Sequence, residues 1–197
     1  MHIFYIHGFL SGPNAMKATL LDQYIKGLSD EHLVFEAFSF SDIPQIGFGQ
    51  IISKIDDFVS KNPQESIALI GSSLGGFYVS LLCARYRCKS VLLNPCVHPQ
   101  DYFVHLSGPQ YNSNTDCHFE VDQKMLDFMT EQDHNMVVRD EFMQVYLGTQ
   151  DEVLDYRKSL VFYANCDILV VPGEDHAFSH NFKALIPSIM DFITQPL

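Results

Sequence analysis

An α/β protein with a mostly parallel sheet of about six strands flanked by helices is what this sequence predicts. The first ground is that short apolar runs alternate with segments of helical periodicity along most of the chain. The second is that the run Ser66–Ile70 leads into Gly71-Ser72-Ser73-Leu74-Gly75-Gly76, a Gly-x-Ser-x-Gly pattern between a strand and a helix. The third is that Ser73, Asp151 and His176 each fall just beyond a predicted strand, where an open parallel sheet gathers its ligand-binding loops. The interval 96–140 interrupts the alternation and reads as an insertion.

Taken in order, residues 3–6 read as a buried strand, with His7-Gly8-Phe9-Leu10-Ser11-Gly12-Pro13 as its exit loop. Asn14 is a candidate cap for a helix carrying Ala18, Leu21, Ile25 and Leu28 on one face. Residues 33–40 read as a second strand. Phe48, Ile51, Ile52, Ile55, Phe58 and Val59 then mark a helix closed by Asn62-Pro63. The Ser73 strand and its helix, with Phe77, Leu81, Leu82 and Ala84, come next, and Ser90–Pro95 forms another buried strand.

Within 96–140, Pro99, Gly108, Pro109 and the polar run Asn112–Asp116 precede a helix with Val121, Met125, Phe128 and Met129 on one face. An insertion at a strand's carboxyl end is placed to act as a lid or as a further packing layer. Regular order returns with a strand at 142–147 and the exit loop Gly148–Val153. A helix capped by Asp155 follows, carrying Leu160, Val161 and Ala164. The last strand, Ile168–Val171, leads through Pro172–Phe178 to a helix bearing Phe182, Leu185, Ile186, Ile189 and Ile193. No repeat and no linker divides the 197 residues, so one domain over 1–197 is expected.

Composition narrows the function classes. The chain is 47% hydrophobic and 18% charged, as expected of a globular protein. A net charge of -12 disfavours nucleic acid or an anionic membrane surface as partner. The cluster Arg85, Arg87, Lys89 complements a helix C-terminus. Five cysteines without a CxxC pair indicate neither a disulfide framework nor a zinc site. Nor is a cofactor, because there is no Walker-type loop and Gly47-Phe48-Gly49 lacks the remaining glycine of a dinucleotide fingerprint. With no basic leader and no apolar run long enough to span a bilayer, the expectation is a cytoplasmic protein.

The chemistry follows from the Gly-x-Ser-x-Gly turn. Gly71 and Gly75 flank Ser73 because side chains there would collide in a sharp strand-to-helix turn, which pushes Ser73 Oγ outward. Ser72 is the rival serine, without a glycine two residues either side. A serine hydroxyl needs a base, and the base needs an orienting acid. His176, on a Gly-containing loop after the last strand, is the best-placed histidine. His7 suits a structural role beside its loop glycine, and His180 lies near a helix start. Asp151 is the favoured acid; Glu152, Asp155 and Asp175 compete with it. Backbone N–H groups of Leu74 and Phe9 suit an oxyanion hole.

These residues resemble the α/β-hydrolase superfamily, and more closely the small bacterial YqiA/YcfP-like esterases. The stretches that carry the resemblance are Tyr5–Phe9, Ile70–Gly76, Leu93-Asn94-Pro95, Asp151–Arg157 and Asp175–Phe178, spread over nearly the whole chain. The resemblance implies a compact α/β-hydrolase fold lacking the first strands of larger relatives. It further implies a Ser73, Asp151, His176 triad, no metal, and esterase or thioesterase activity on small-molecule acyl substrates. The chain departs from it at Gln150, where relatives tend to carry glycine before the acid. Tyr102, Phe103, Phe128 and Met129 are candidates for contacting an acyl chain, or for a core. Acyl-CoA would call for cationic contacts that this acidic chain shows few of. The competing expectation is a non-catalytic binding or scaffolding protein on the same fold.

Overall fold

The protein is described here by a computed structural model covering residues 1–196. In chain order the elements are β1 (His2–Ile6), α1 (Met16–Gly27), β2 (Val34–Ala37), α2 (Pro44–Lys61), β3 (Ile67–Ser72), α3 (Leu74–Tyr86) and β4 (Ser90–Leu93). There follow α4 (Pro99–Phe103), β5 (Gly108–Asn112), β6 (Cys117–Val121), α5 (Gln123–His134), β7 (Met143–Gly148), α6 (Tyr156–Phe162), β8 (Asp167–Val171) and α7 (Phe182–Thr194). Six strands form one sheet in the order β2-β1-β3-β4-β7-β8, every pair parallel.

Side chains of alternating strand residues enter two separate cores, so the central strands β1, β3 and β4 are predominantly apolar on both faces. Phe4 and Ile6 of β1 pack with Ile51 and Ile55 of α2 and Phe77 of α3. Ile3 and Tyr5 face the other way, onto Leu21 and Ile25 of α1 and Ile186 and Ile189 of α7. From β1 the chain crosses to β2 on one side of the sheet and then to β3 on the other. The crevice beyond the carboxyl ends of β1 and β3 is therefore the switch point at which such sheets bind ligands.

Four elements differ from the sequence reading. The second strand is only Val34–Ala37. It is an edge strand, and Phe38 and Phe40 leave the ladder to pack edge-on against Phe4 and face-on against His7. Asn14 does not cap α1: the N-cap is Ala15, one residue nearer the helix, and it makes no side-chain cap bond. Leu28, past the last turn of α1, is exposed, as are Leu160 and Val161 of α6. The inward positions of α6 are polar-tipped instead. Ser159 donates to the Pro95 carbonyl at 3.1 Å, and Tyr163 shares a buried 2.9 Å hydrogen bond with Ser80.

The fourth difference is the interval 96–140. Its polar run is the turn of an antiparallel hairpin, β5 with β6. Val121 ends β6, and Asp122 caps α5 by accepting from Met125 N at 3.0 Å. Val121, Met125 and Met129 are 2%, 1% and 0% exposed and belong to the same core as α2 and α3. Replacing Met129 by Ala should lower unfolding free energy in urea by about 2–5 kcal/mol; a loss well under about 1 kcal/mol would contradict its place in that core.

Candidate active site

Ser73 joins β3 to α3 with φ 56° and ψ -122°, a conformation that costs a non-glycine residue about 1–3 kcal/mol and persists only where its surroundings enforce it. Here they do. Ser73 N donates to the Leu93 carbonyl, and the Ser73 carbonyl accepts from Gly76 N at 2.9 Å and Cys96 N at 3.0 Å. A Cβ on Gly75 would stand 2.1 Å from the Ile6 carbonyl oxygen, and one on Gly71 would stand 2.4 Å from the Gly75 carbonyl oxygen. Of the two candidate serines, Ser73 is at the turn; Ser72 is the last residue of β3.

The loops after β7 and β8 bring acid and base together. His176 Nδ1 lies 2.8 Å from Asp151 Oδ2, with the His176 side chain 19% exposed and the Asp151 side chain 1%. Because a carboxylate oxygen accepts, the pairing makes Nδ1 the donor and places Nε2 on the opposite side of the ring. Asp151 Oδ1 accepts from Val153 N and Leu154 N at 2.9 and 2.8 Å, which fixes the carboxylate plane. The competing acids are engaged elsewhere: Glu152 accepts from the His176 backbone N–H at 3.0 Å, Asp155 caps α6, and Asp175 accepts from Ser179 N.

Asn94, just beyond β4, ties these loops to each other, a role the sequence reading did not assign. Its Nδ2 donates to the carbonyls of Asp175 and His176 at 3.0 and 3.2 Å, and its Oδ1 accepts from Gly148 N at 2.7 Å. It is 2% exposed. Gln150, where relatives tend to carry glycine, donates its backbone N–H to the Glu174 carbonyl.

The loop after β1 is fastened by the insertion. Leu10 N donates to Asp42 Oδ1, whose other oxygen accepts from buried Asn112 Nδ2 at 2.7 Å. Asn112 also donates to the Ser11 carbonyl, and Asn114 to that of Leu10. Phe9 packs edge-on against Phe103 and Phe119. Among the described residues, the N–H groups of Phe9 and Leu74 have no acceptor within the chain. His7 is stacked on Phe40 and bonded through Nδ1 to the Gly8 carbonyl, and burial lowers its pKa.

Ser73, His176, Phe9 and Gly8 line a common cavity of about 230 Å³, together with Ser72, Tyr5 and Lys17. Ser73 Oγ and the His176 ring share this space without a hydrogen bond between them among the described residues, and such contacts often tighten only around substrate. The four acyl-contact candidates do not line the cavity. Phe103 stands behind Phe9, Met129 is fully buried, Phe128 packs toward Phe48, and Tyr102 lies under Lys158. Phe103 and Met129 belong to the core, and Phe128 packs against it.

The cysteines are free, and burial raises the Cys83 thiol to about 11 and Cys88 to about 12. Glu174, Asp175 and His180 bring donor atoms within 4.8 Å of one another. Loop-closing bonds account for part of that grouping, since Glu174 accepts from His180 N and Asp175 from Ser179 N. No helix among the described residues is long and apolar enough to cross a membrane.

Known proteins give this geometry a context. The model of a family described as "Uncharacterised protein family (UPF0227)" matches residues 2–194. Est1E from Butyrivibrio proteoclasticus is similar in structure, with TM-score 0.73 and 14% identity over 98% of this chain and 88% of that one. Alpha/beta hydrolase domain-containing protein 10 from mouse has TM-score 0.67 and 18% identity over 98% and 89%. The esterase domain of a Rhodothermus marinus protein has TM-score 0.65 and 14% identity over 96% and 84%. The fold is that of the α/β hydrolases.

Replacing Asn94 by Ala would leave buried backbone groups of both loops unpaired. A loss of about 1–3 kcal/mol in stability is expected by chemical unfolding, and an unchanged midpoint would show that the tether is dispensable.

Proposed function

The chain belongs to the family UPF0227, that of the YqiA/YcfP proteins, and on that footing we propose that it is a serine hydrolase cleaving carboxylic esters or thioesters. The observation that carries the reading is the strained turn that puts Ser73 on one cavity with His176, while Asp151 holds the far side of that imidazole. The hydrolase neighbours support it as a class, since one of them, Est1E, also has a structure described as binding ferulic acid.

In this reading His176 Nε2 takes the Ser73 hydroxyl proton as Oγ attacks the acyl carbon. The imidazolium that forms is stabilised by Asp151 through Nδ1–H. The oxyanion of the tetrahedral intermediate accepts from Phe9 N–H and Leu74 N–H, groups without another acceptor among the described residues. Each such donor contributes about 100- to 1,000-fold in rate. His176 returns the proton to the departing alcohol or thiol, leaving the acyl group on Ser73. Water, deprotonated by His176, then attacks the acyl carbon, the bond to Ser73 Oγ breaks, and His176 returns the proton to Oγ as the acid departs.

The test combines labelling by a fluorophosphonate probe with turnover of 4-nitrophenyl butyrate and a butyryl thioester. Ser73→Ala and His176→Ala should abolish labelling and turnover, and Asp151→Asn should lower kcat by about 10⁴-fold with the fold intact by circular dichroism. Labelling that persists in Ser73→Ala, or activity in Asp151→Asn within about tenfold of the native protein, would overturn the reading.

A further inference from the structure

Lys17 is a cation where few are found. It lies in the first turn of α1 and is 9% exposed, a degree of burial rare for lysine without a charged partner. Its Nζ donates to the Ala177 carbonyl at 3.0 Å, next to His176. An ammonium has three N–H groups, so two remain. Asp151 and Asp175 act on it through space. Lys17 also lines the cavity that holds Ser73 and His176.

Beside Lys17 the cavity wall carries a second source of positive potential, the start of α1. Ala15 and Met16, the N-cap and first residue of α1, line the cavity as well. The helix has no side-chain cap and no acidic residue in its first turn, so none of its own side chains offsets its positive end. In a protein of net charge -12, the wall of this cavity joins an ammonium to an uncapped helix N-terminus.

We propose that the substrate of the Ser73 site carries a carboxylate on a short acyl group, received by Lys17 Nζ and the first turn of α1. The proposal rests on the serine-hydrolase reading for the bond that is cleaved. A cavity of about 230 Å³ is smaller than the about 300–1,000 Å³ of drug-sized ligand sites, which fits a half-ester of a small dicarboxylic acid. A monoanion suits a single ammonium with Asp151 and Asp175 nearby better than a phosphate dianion does, because those carboxylates repel the second charge.

Burial lowers the Lys17 ammonium to about 8, with Asp175 and Asp151 opposing that shift. The two carboxylates act on its charge, and His176 and Tyr5, whose own pKa burial raises, line the same cavity. Lys17 is thus charged at neutral pH and loses its charge as pH rises through about 8.

A purely structural Lys17 would hold the His176 loop through Ala177 and affect every ester alike. The discriminating quantity is therefore the ratio of kcat/KM for monoethyl succinate to that for ethyl butyrate, which differ by a carboxylate in place of a methyl. The native protein should favour the succinate ester by about 10- to 100-fold. Lys17→Met should bring the ratio close to one, Lys17→Arg should keep most of it, and in the native protein it should fall as pH rises through about 8. A native ratio near one, or a parallel loss of both activities in Lys17→Met, would overturn the proposal. Turnover of both esters that is lost in Ser73→Ala would then still uphold the hydrolase reading. Binding of both esters to Ser73→Ala, by isothermal titration, separates the opposite case. No turnover by the native protein, with tighter binding of monoethyl succinate that Lys17→Met abolishes, would sink the hydrolase reading and keep the carboxylate site.

Discussion

A first side-chain carbon at position 75 would lie 2.1 Å from the Ile6 carbonyl oxygen and 2.6 Å from that of His7. α3 can begin where it does only because no such carbon exists. That close approach sets the rest of the site. It presses the start of α3 against the end of β1, holds Ser73 at φ 56°, and brings the loop after β1 beside the serine. At Gly8 too a Cβ would lie 3.0 Å from that of Ser73. Phe9, the next residue, lines the same cavity as Ser73.

Three polar tethers then hold loops that are far apart in sequence. Asn94 ties the Asp151 loop to the His176 loop, Asp42 with Asn112 ties the Phe9 loop to the insertion, and Lys17 ties the His176 loop to α1. Each is at least nine-tenths buried, where an unpaired polar group is costly, so each has a reason to stay in place. The insertion accordingly serves two regions at once. Its apolar face completes the core over α2 and α3, and its polar turn steadies the candidate oxyanion loop.

Which parts were legible in the sequence follows from how local their signals are. β1, β3, β4 and β7 announce themselves because both faces are buried, and the edge strand β8, only half-buried, because Ile168–Val171 is an unbroken apolar run. Ser73, Asp151 and His176 were legible because each follows such a run. The edge strand β2 was read too long because Phe38 and Phe40 are apolar without being paired. The hairpin was missed because Gly108-Pro109 and Asn112–Asp116 have the composition of a loop. Asn94 lay inside a recognised stretch, but its tether joins residues some 80 positions apart, which no local pattern encodes. Lys17, a charged residue in a helix, gives no sign in the sequence that its ammonium turns inward.

In the proposed reading Ser73 Oγ and His176 act on an acyl carbon whose oxygen is held by the Phe9 and Leu74 N–H groups. A crystal structure of the protein after reaction with a fluorophosphonate measures this directly. Phosphorus is expected to be bonded to Ser73 Oγ, with its non-ester oxygen within hydrogen-bond distance of both Phe9 N and Leu74 N, and His176 Nε2 turned toward Oγ. An adduct whose oxygen faces away from both N–H groups, or one formed on another residue, would contradict it.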